Sequence, residues 1–550
     1  MTGLKNYKWL IISYILLICL ASMARGSSGQ YLIASDAIRN SDYTVVAENF
    51  SSMIKKGESD PSILQDALIF SVLSNNFEIA LQIAKKTDAM QLTFPSASII
   101  LLVDLVRSGE YEKVEQFVNK HSSHIPEIIR VFSIGWSEIA VGNFDVGLVE
   151  FSKFRDKMSS LYYYHSAIAF ALNNDFSIAA NQLDKIPERG PIFGNTDFFA
   201  QAQIYSMNGE VEKAKTILAK SQFKNDDLRY QNAVAALNGN QKVQFDTFST
   251  PNDVIASILA LVGQIGMENS GSSLSTMFYL RLAENLSINK ASYSIKLAES
   301  FGQNNVNDLV VKSFESVVKT SPLYLKAQLG LASAFIDRGR TNEAISLLDD
   351  LIDNGFNVFV VLDKMGDALR ISEQYDLSIK YYTEAIKNFN SIDKIGLWST
   401  FFFRGISHDQ SGNWDSASID LRKALELRPA QPQVLNYLGY SLIERKQNLD
   451  EALFMIEQAV KQEPDSGYIV DSLGWCFFRL GRFNEAIGPM ERAVQLEPFD
   501  PIVNDHLGDV LWMVGRQREA RFQWQRSLSL EPEVEEVEKI LKKLEFGLDN

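Results

Sequence analysis

Asn436-Tyr-Leu-Gly-Tyr440, Asp471-Ser-Leu-Gly-Trp475 and Asp505-His-Leu-Gly-Asp509 are one pattern written three times. Each glycine (Gly439, Gly474, Gly508) is followed 12 or 13 residues later by an alanine, Ala452, Ala486 or Ala520. Ile456, Met490 or Trp524 comes four residues on, and Ala459, Ala493 or Ser527 three further. Pro464, Pro498 and Pro532 close the blocks. Successive glycines stand 35 and 34 residues apart and successive prolines 34, the period of a helix–turn–helix repeat.

Physical roles follow from residue type. A glycine or alanine is needed where two antiparallel helices cross closely, and Leu438, Leu473 and Leu507 supply apolar knobs beside the crossing. Proline cannot continue a helix, so it ends one unit and admits the next. The pattern resembles the tetratricopeptide repeat, whose helix pairs cannot bury their apolar faces alone and stack into a solenoid. The expected fold is therefore all-α, a solenoid of helix pairs in one or two arms.

Weaker copies run through the rest of the chain. Asp42 to Ala47, Asn76 to Ala80, Gly109 to Val114, Gly142 to Gly147, Asn174 to Ala179 and Gly209 to Ala214 share one form, a polar or glycine turn opening a second helix. Their ends fall 33, 34, 33, 32 and 35 residues apart, so degenerate repeats are expected over 25–224. Regularity fails over 225–290, which reads as an irregular helical joint with helices near 253–266 and 274–286. The phase returns over 291–532, through Ala298, Ala332, Gly366 and Gly405 with Ala417, and is strongest over 398–532. A charged helix from Val534 to Leu544, within 533–550, reads as a solvating cap.

The N-terminus carries Lys5 and Lys8, an apolar run from Trp9 to Leu20, and Ala21-Ser-Met-Ala24. This is the pattern of a secretory signal peptide, residues 1–24, and implies an exported, periplasmic protein. The run is short for a spanning helix, which needs ~20 residues. Ile18 before Cys19 is too bulky for lipoprotein processing. Arg25 to Gln30 reads as a linker. Cleavage would leave Cys476 as the single cysteine, with no internal disulfide.

The chain has 550 residues, 46% hydrophobic and 22% charged, with a formal charge of −15. That acidic balance, without a basic patch, argues against nucleic acid as a partner. No catalytic signature is found: the five histidines are scattered, and no His-Glu-x-x-His, Gly-x-Ser-x-Gly or phosphate-cradling loop occurs. The expectation is a non-catalytic protein without cofactor or metal.

Function is then expected on the inner face of the array. Counting from each repeat glycine, inward positions fall three before it and one and five after. These are Asn436, Tyr440 and Glu444; Asp471, Trp475 and Arg479; Asp505, Asp509 and Met513, with Asp363 and Asp367 in an earlier unit. Gln433 and Tyr468 lie one turn nearer the helix starts. The aspartates favour cationic or neutral polar segments of protein partners, with Tyr440, Tyr468 and Trp475 as aromatic anchors. The competing reading is that Asp471 and Asp505 complement helix N-termini.

The runs Pro432 to Tyr440, Gly467 to Trp475 and Asn504 to Trp512, with Gly515-Arg-Gln-Arg-Glu-Ala520 and Trp524, resemble exported tetratricopeptide repeat proteins of Gram-negative, especially alphaproteobacterial, bacteria. The likeness extends distantly to an outer-membrane lipoprotein adaptor that binds a C-terminal processing protease and presents peptidoglycan hydrolases to it. The resemblance implies a periplasmic scaffold or adaptor that presents envelope proteins to a protease or assembly machine. The alternative is a regulatory subunit that activates a cell-envelope enzyme.

Overall fold

The computed structural model describes residues 28–92, 94–187, 194–221, 227–270, 273–356, 358–389 and 394–548. Residues 1–24 and Cys19 lie outside them. The chain is 76% helical, and no β-strand occurs among the described residues. No helix among the described residues is long and apolar enough to cross a membrane. Two compact units divide between Arg338 and Gly339.

The repeat is built by its turns. One residue per unit takes a left-handed backbone between the paired helices: Ser41, Asn75, Gly109, Gly142, Asn174 and Gly209, then Asn305, Gly339, Glu373, Gly412, Lys446, Gly481 and Gly515. At Gly481 (φ 72°) the helix Gly467–Arg479 is stopped as the Arg482 N–H bonds the Phe477 carbonyl at 2.8 Å and the Gly481 N–H bonds that of Phe478 at 2.9 Å. This double closure satisfies the carbonyls that a helix end leaves open, and it needs a residue tolerant of positive φ. Gly109, Gly142, Asn174 and Gly209, which open four of the degenerate repeats, therefore answer a backbone demand, and in the first two repeats Ser41 and Asn75, just before Asp42 and Asn76, do so. Second helices begin just after these turns, at Tyr43, Phe77, Phe144, Phe176 and Val211. At Gly109 a single 3-10 turn from Tyr111 precedes the helix.

The second demand is at the crossing. A Cβ on Gly474 would stand 2.6 Å from Met490 Cγ, one on Gly439 2.8 Å from Ile456 Cγ1, one on Gly508 2.4 Å from Trp524 Cδ1 and one on Gly366 2.6 Å from the Tyr382 ring. At Gly405 the approach is looser, 3.1 Å to Leu421. Ala417, Ala452, Ala486, Ala493 and Ala520 are fully buried. The glycine thus receives the large side chain of the partner helix, and the alanine lets the backbones close above it.

In the unit that ends at Arg338, residues 28–30 of the expected linker belong to the helix over 28–39, and residues 25–27 lie outside the described residues. The region 225–290 falls in this unit, with helix Pro251–Ser270 longer at both ends than expected and Ser273–Leu286 starting one residue earlier. Pro251–Ser270 packs on Glu127–Ala140, and Ser273–Leu286 packs on Pro61–Leu73 and Pro95–Arg107. Those three are the first helices of their pairs, the ones that line the inner side of a solenoid. The Tyr111 hydroxyl donates to Asn252 Oδ1 at 2.8 Å, which ties the inserted pair to the repeats. Three of this unit's first helices are thus packed against by the inserted pair.

In the unit from Gly339, first helices adjoin first helices. Pro432–Glu444 meets Gly467–Arg479, which meets Pro501–Met513. Behind them Leu438, Leu442, Ile456 and Cys476 form one apolar cluster, and Met490, Leu507, Leu511, Trp524 and Ile540 another. Cys476 is buried filler, its thiol pushed up to about 11 by burial and so unreactive.

Candidate functional site

Among the inward positions of the last three repeats, Glu444, Asp471, Trp475 and Arg479 are linked with His506 across the repeats. Glu444 accepts from the Trp475 indole N–H at 2.7 Å and from Arg479 at 3.2 Å, joining the first helix of one repeat to that of the next. Trp475 lies flat on His506 of the following repeat, ring centroids 4.0 Å apart. The Asp471 carboxylate faces His506 Nδ1 at 3.0 Å. Burial alone would lower the His506 pKa. Asp471 outweighs it, with Asp509 and Asp505 adding to the pull, and holds the imidazole above its ordinary value.

Asp505 and Asp509 stand one turn apart on Pro501–Met513. Both are buried, and the Lys543 ammonium from the helix Val534–Phe546 sits between them, 2.6 Å from Asp505 Oδ2 and 2.8 Å from Asp509 Oδ2. Burial pushes the Asp509 carboxyl up to about 6 although Lys543 pulls the other way. Burial lowers the affinity of Lys543 for its proton, and the two carboxylates more than restore it, so its pKa is raised. The expected solvating cap is thus corrected. Its lysine at 543 is 17% exposed and turned onto the inward aspartates, while Lys542 is 68% exposed beside Glu538. A buried cation between two carboxylates holds this helix down where a solvated charge would not.

The helix-capping reading of the aspartates does not fit these contacts. Pro501–Met513 is capped by Asp500, which accepts from the N–H groups of Ile502 at 2.8 Å and Val503 at 2.9 Å. Asp471 and Asp505 take side-chain partners instead. Asp363 and Asp367 behave similarly: Thr400 donates to Asp363 at 2.7 Å and the Tyr382 hydroxyl to Asp367 at 2.8 Å. Burial, with Asp367 beside it, pushes Asp363 up to about 7.

Tyr440 is half-buried, its hydroxyl pKa raised by burial first and then by Glu444 and Asp471. Asn436 is half-buried, with an Oδ1 that finds no donor among the described residues. Gln433 is exposed and donates to Glu463 at 3.0 Å, and Tyr468 is 58% exposed. These two join none of the linked residues. Sequence reading placed the inward carboxylates and aromatics but treated His506 as one of five scattered histidines, and it left Lys543 in solvent. The spacing of Glu536, Ile540, Lys543 and Gly547, one face of a helix with a single cation, was the available signal.

In the other unit a cavity of about 260 Å³ is lined by Tyr164, Asp197, Tyr293, Lys296 and Glu299 among others, and the Tyr164 hydroxyl donates to Asp197 at 2.8 Å. No sequence pattern marks it.

Residues 444–501 match the tetratricopeptide repeat family. With the helix pairs described above, the chain is all-α and built of helix-pair repeats of this kind. More particularly, it is similar to a TPR repeat-containing protein of Pseudomonas aeruginosa, 29% identical over 163 residues, which are 29% of this chain and 26% of the relative. Among solved structures, a tetratricopeptide repeat protein from Parabacteroides merdae aligns with 14% identity over 46% of this chain and 98% of that one, TM-score 0.38. Yeast Tom70 aligns with 13% identity over 95% of this chain and 96% of that one, TM-score 0.35.

Proposed function

We propose that this protein is an exported, periplasmic scaffold whose C-terminal repeats hold a protein partner along the strip Asn436, Tyr440, Asp471, Trp475, Arg479, Asp505 and Asp509. The observation that carries this reading is a contrast between the two units. Three first helices of the N-terminal repeats, Pro61–Leu73, Pro95–Arg107 and Glu127–Ala140, are packed against by Pro251–Ser270 and Ser273–Leu286. Those of the C-terminal repeats carry half-buried Tyr440 and Trp475 beside carboxylates buried against His506 and Lys543, linked from repeat to repeat. Aromatic anchors supply desolvated area, and the carboxylates select a cationic or hydrogen-bonding segment.

Export rests on the signal-peptide pattern of residues 1–24. The resemblance to exported adaptors supports a role in presenting envelope proteins to a protease or assembly machine. The test is co-purification from the cell envelope with the unaltered chain, with Trp475→Ala, and with the double change Asp505→Lys, Asp509→Lys, each checked for helicity. Loss of the same partners from both variants supports the reading, and retention of every partner by folded variants refutes it.

A further inference from the structure

Asp505 and Asp509 carry four carboxylate oxygens, and the donors present do not fill them. Asp509 Oδ1 accepts from the Trp524 indole N–H at 2.8 Å. Asp509 Oδ2 and Asp505 Oδ2 share the Lys543 ammonium. Asp505 Oδ1 is buried and accepts from no described residue, on a side chain 11% exposed. A buried carboxylate oxygen without a donor is costly, and here a cation already sits beside it.

The shortage follows from the shape of the cation. An ammonium directs its three N–H bonds along diverging axes and meets one oxygen of each carboxylate. A guanidinium presents a planar fork that meets both oxygens of one carboxylate and keeps further N–H bonds for a neighbour. On Asp505 such a fork would fill Oδ1 and Oδ2 together and still reach Asp509 Oδ2.

The lysine is carried on a narrowly held helix. Ile540 is its single fully buried side chain, and Val534, Leu541 and Phe546 are exposed. Leu544 and Leu548 pack partly buried against the cluster of Leu507, Leu511 and Trp524.

We propose that the Asp505–Asp509 pair is an arginine-reading site for a segment of a partner protein, occupied in the free chain by Lys543 as a weaker, displaceable substitute. The partner segment presents an arginine followed by an aliphatic residue, in the places of Lys543 and Leu544. This rests on the strip being a binding surface and specifies what it selects.

The test uses the full chain and two fluorescent peptides of residues 533–548, one with the native lysine and one with arginine at the position of Lys543. On the Lys543→Ala chain, the arginine peptide binds about tenfold more tightly, the factor that one further charge-assisted hydrogen bond supplies. The unaltered chain, self-occupied, binds either peptide at least about tenfold more weakly than Lys543→Ala does, on the same scale. Asp505→Asn brings the two peptides to equal affinity. Equal affinity of the two peptides for Lys543→Ala, or equal binding by the unaltered and Lys543→Ala chains, overturns the proposal.

Should Lys543→Ala lose helicity, Lys543→Arg in the full chain decides. Deuterium-exchange protection of Val534–Phe546 rises if the site reads arginine, and no rise overturns it. Envelope partners lost on Trp475→Ala while the peptides fail would refute the arginine preference alone. Partners retained on Trp475→Ala while the peptides behave as stated would refute the proposed function alone.

Discussion

The indole of Trp475 lies on the imidazole of His506 with planes 15° from parallel, and Asp471 holds the Nδ1 of that imidazole at 3.0 Å. Three side chains from two repeats thus share one buried contact, which makes the interface between these repeats sensitive to a proton. The folded chain holds the His506 proton more tightly than the unfolded chain, whose value is near 6.5. The resulting stability is fully present below about 6.5 and is lost as pH rises through the higher folded value. Asp509, raised to about 6 from 3.8, acts in the same sense over its own lower window. The C-terminal repeats should therefore melt at a higher temperature at pH 6 than at pH 8. His506→Gln should flatten that difference, as followed by circular dichroism.

The repeat glycines should differ in cost according to what they face. A Cβ on Gly508 would meet the rigid Trp524 indole, whereas one on Gly474 would meet the flexible end of Met490. Gly508→Ala should cost about 1–3 kcal/mol and Gly474→Ala less, because methionine can change rotamer. Gly488, on a second helix, has nothing within 4 Å of its Cβ direction. Gly488→Ala should be neutral or stabilise by up to about 1 kcal/mol. Urea denaturation of the three variants checks the order.

The two neighbouring lysines of the last helix should behave differently. Lys542→Ala removes a solvent-exposed pair with Glu538 and should change stability by less than about 0.5 kcal/mol. Lys543→Ala leaves two buried carboxylates without their cation, a loss of about 3 kcal/mol or more if the helix stays docked. Undocking of Val534–Phe546 limits that loss, so deuterium exchange should show deprotection confined to this helix.

Legibility in the sequence follows this physics. The fold was readable because each unit demands a left-handed turn residue, as at Gly109, Gly142 and Gly481, and a small residue opposite a large one, as at Gly508 and Trp524. Such demands recur locally and leave a period. The inward positions were readable because they are counted from those glycines. What fills them was not: Lys543 reaches Asp505 across 38 residues, and Ser273–Leu286 reaches Pro61–Leu73 from far along the chain. Docking of that kind is decided by surfaces meeting in space, and it imposes no repeat on the sequence.

Truncating the aromatic anchor should separate binding from folding. Trp475→Ala removes the contacts to His506 and Glu444 and should weaken partner binding by about 2 kcal/mol or more. Asp505→Asn, on a buried carboxylate, should raise the dissociation rate more than it changes the association rate. Surface plasmon resonance with a captured envelope partner resolves the two effects.

The central claim, that a protein partner lies along the inner strip of the C-terminal repeats, is tested most directly by site-specific photo-crosslinking in intact cells. Crosslinkers are placed at Tyr440 and Tyr468 on the inward helices and, for contrast, at Phe454, which is 61% exposed on the second helix Leu449–Gln462. The account predicts that Tyr440 and Tyr468 capture the same protein and that Phe454 does not. Capture from Phe454, with none from Tyr440 or Tyr468, would contradict it.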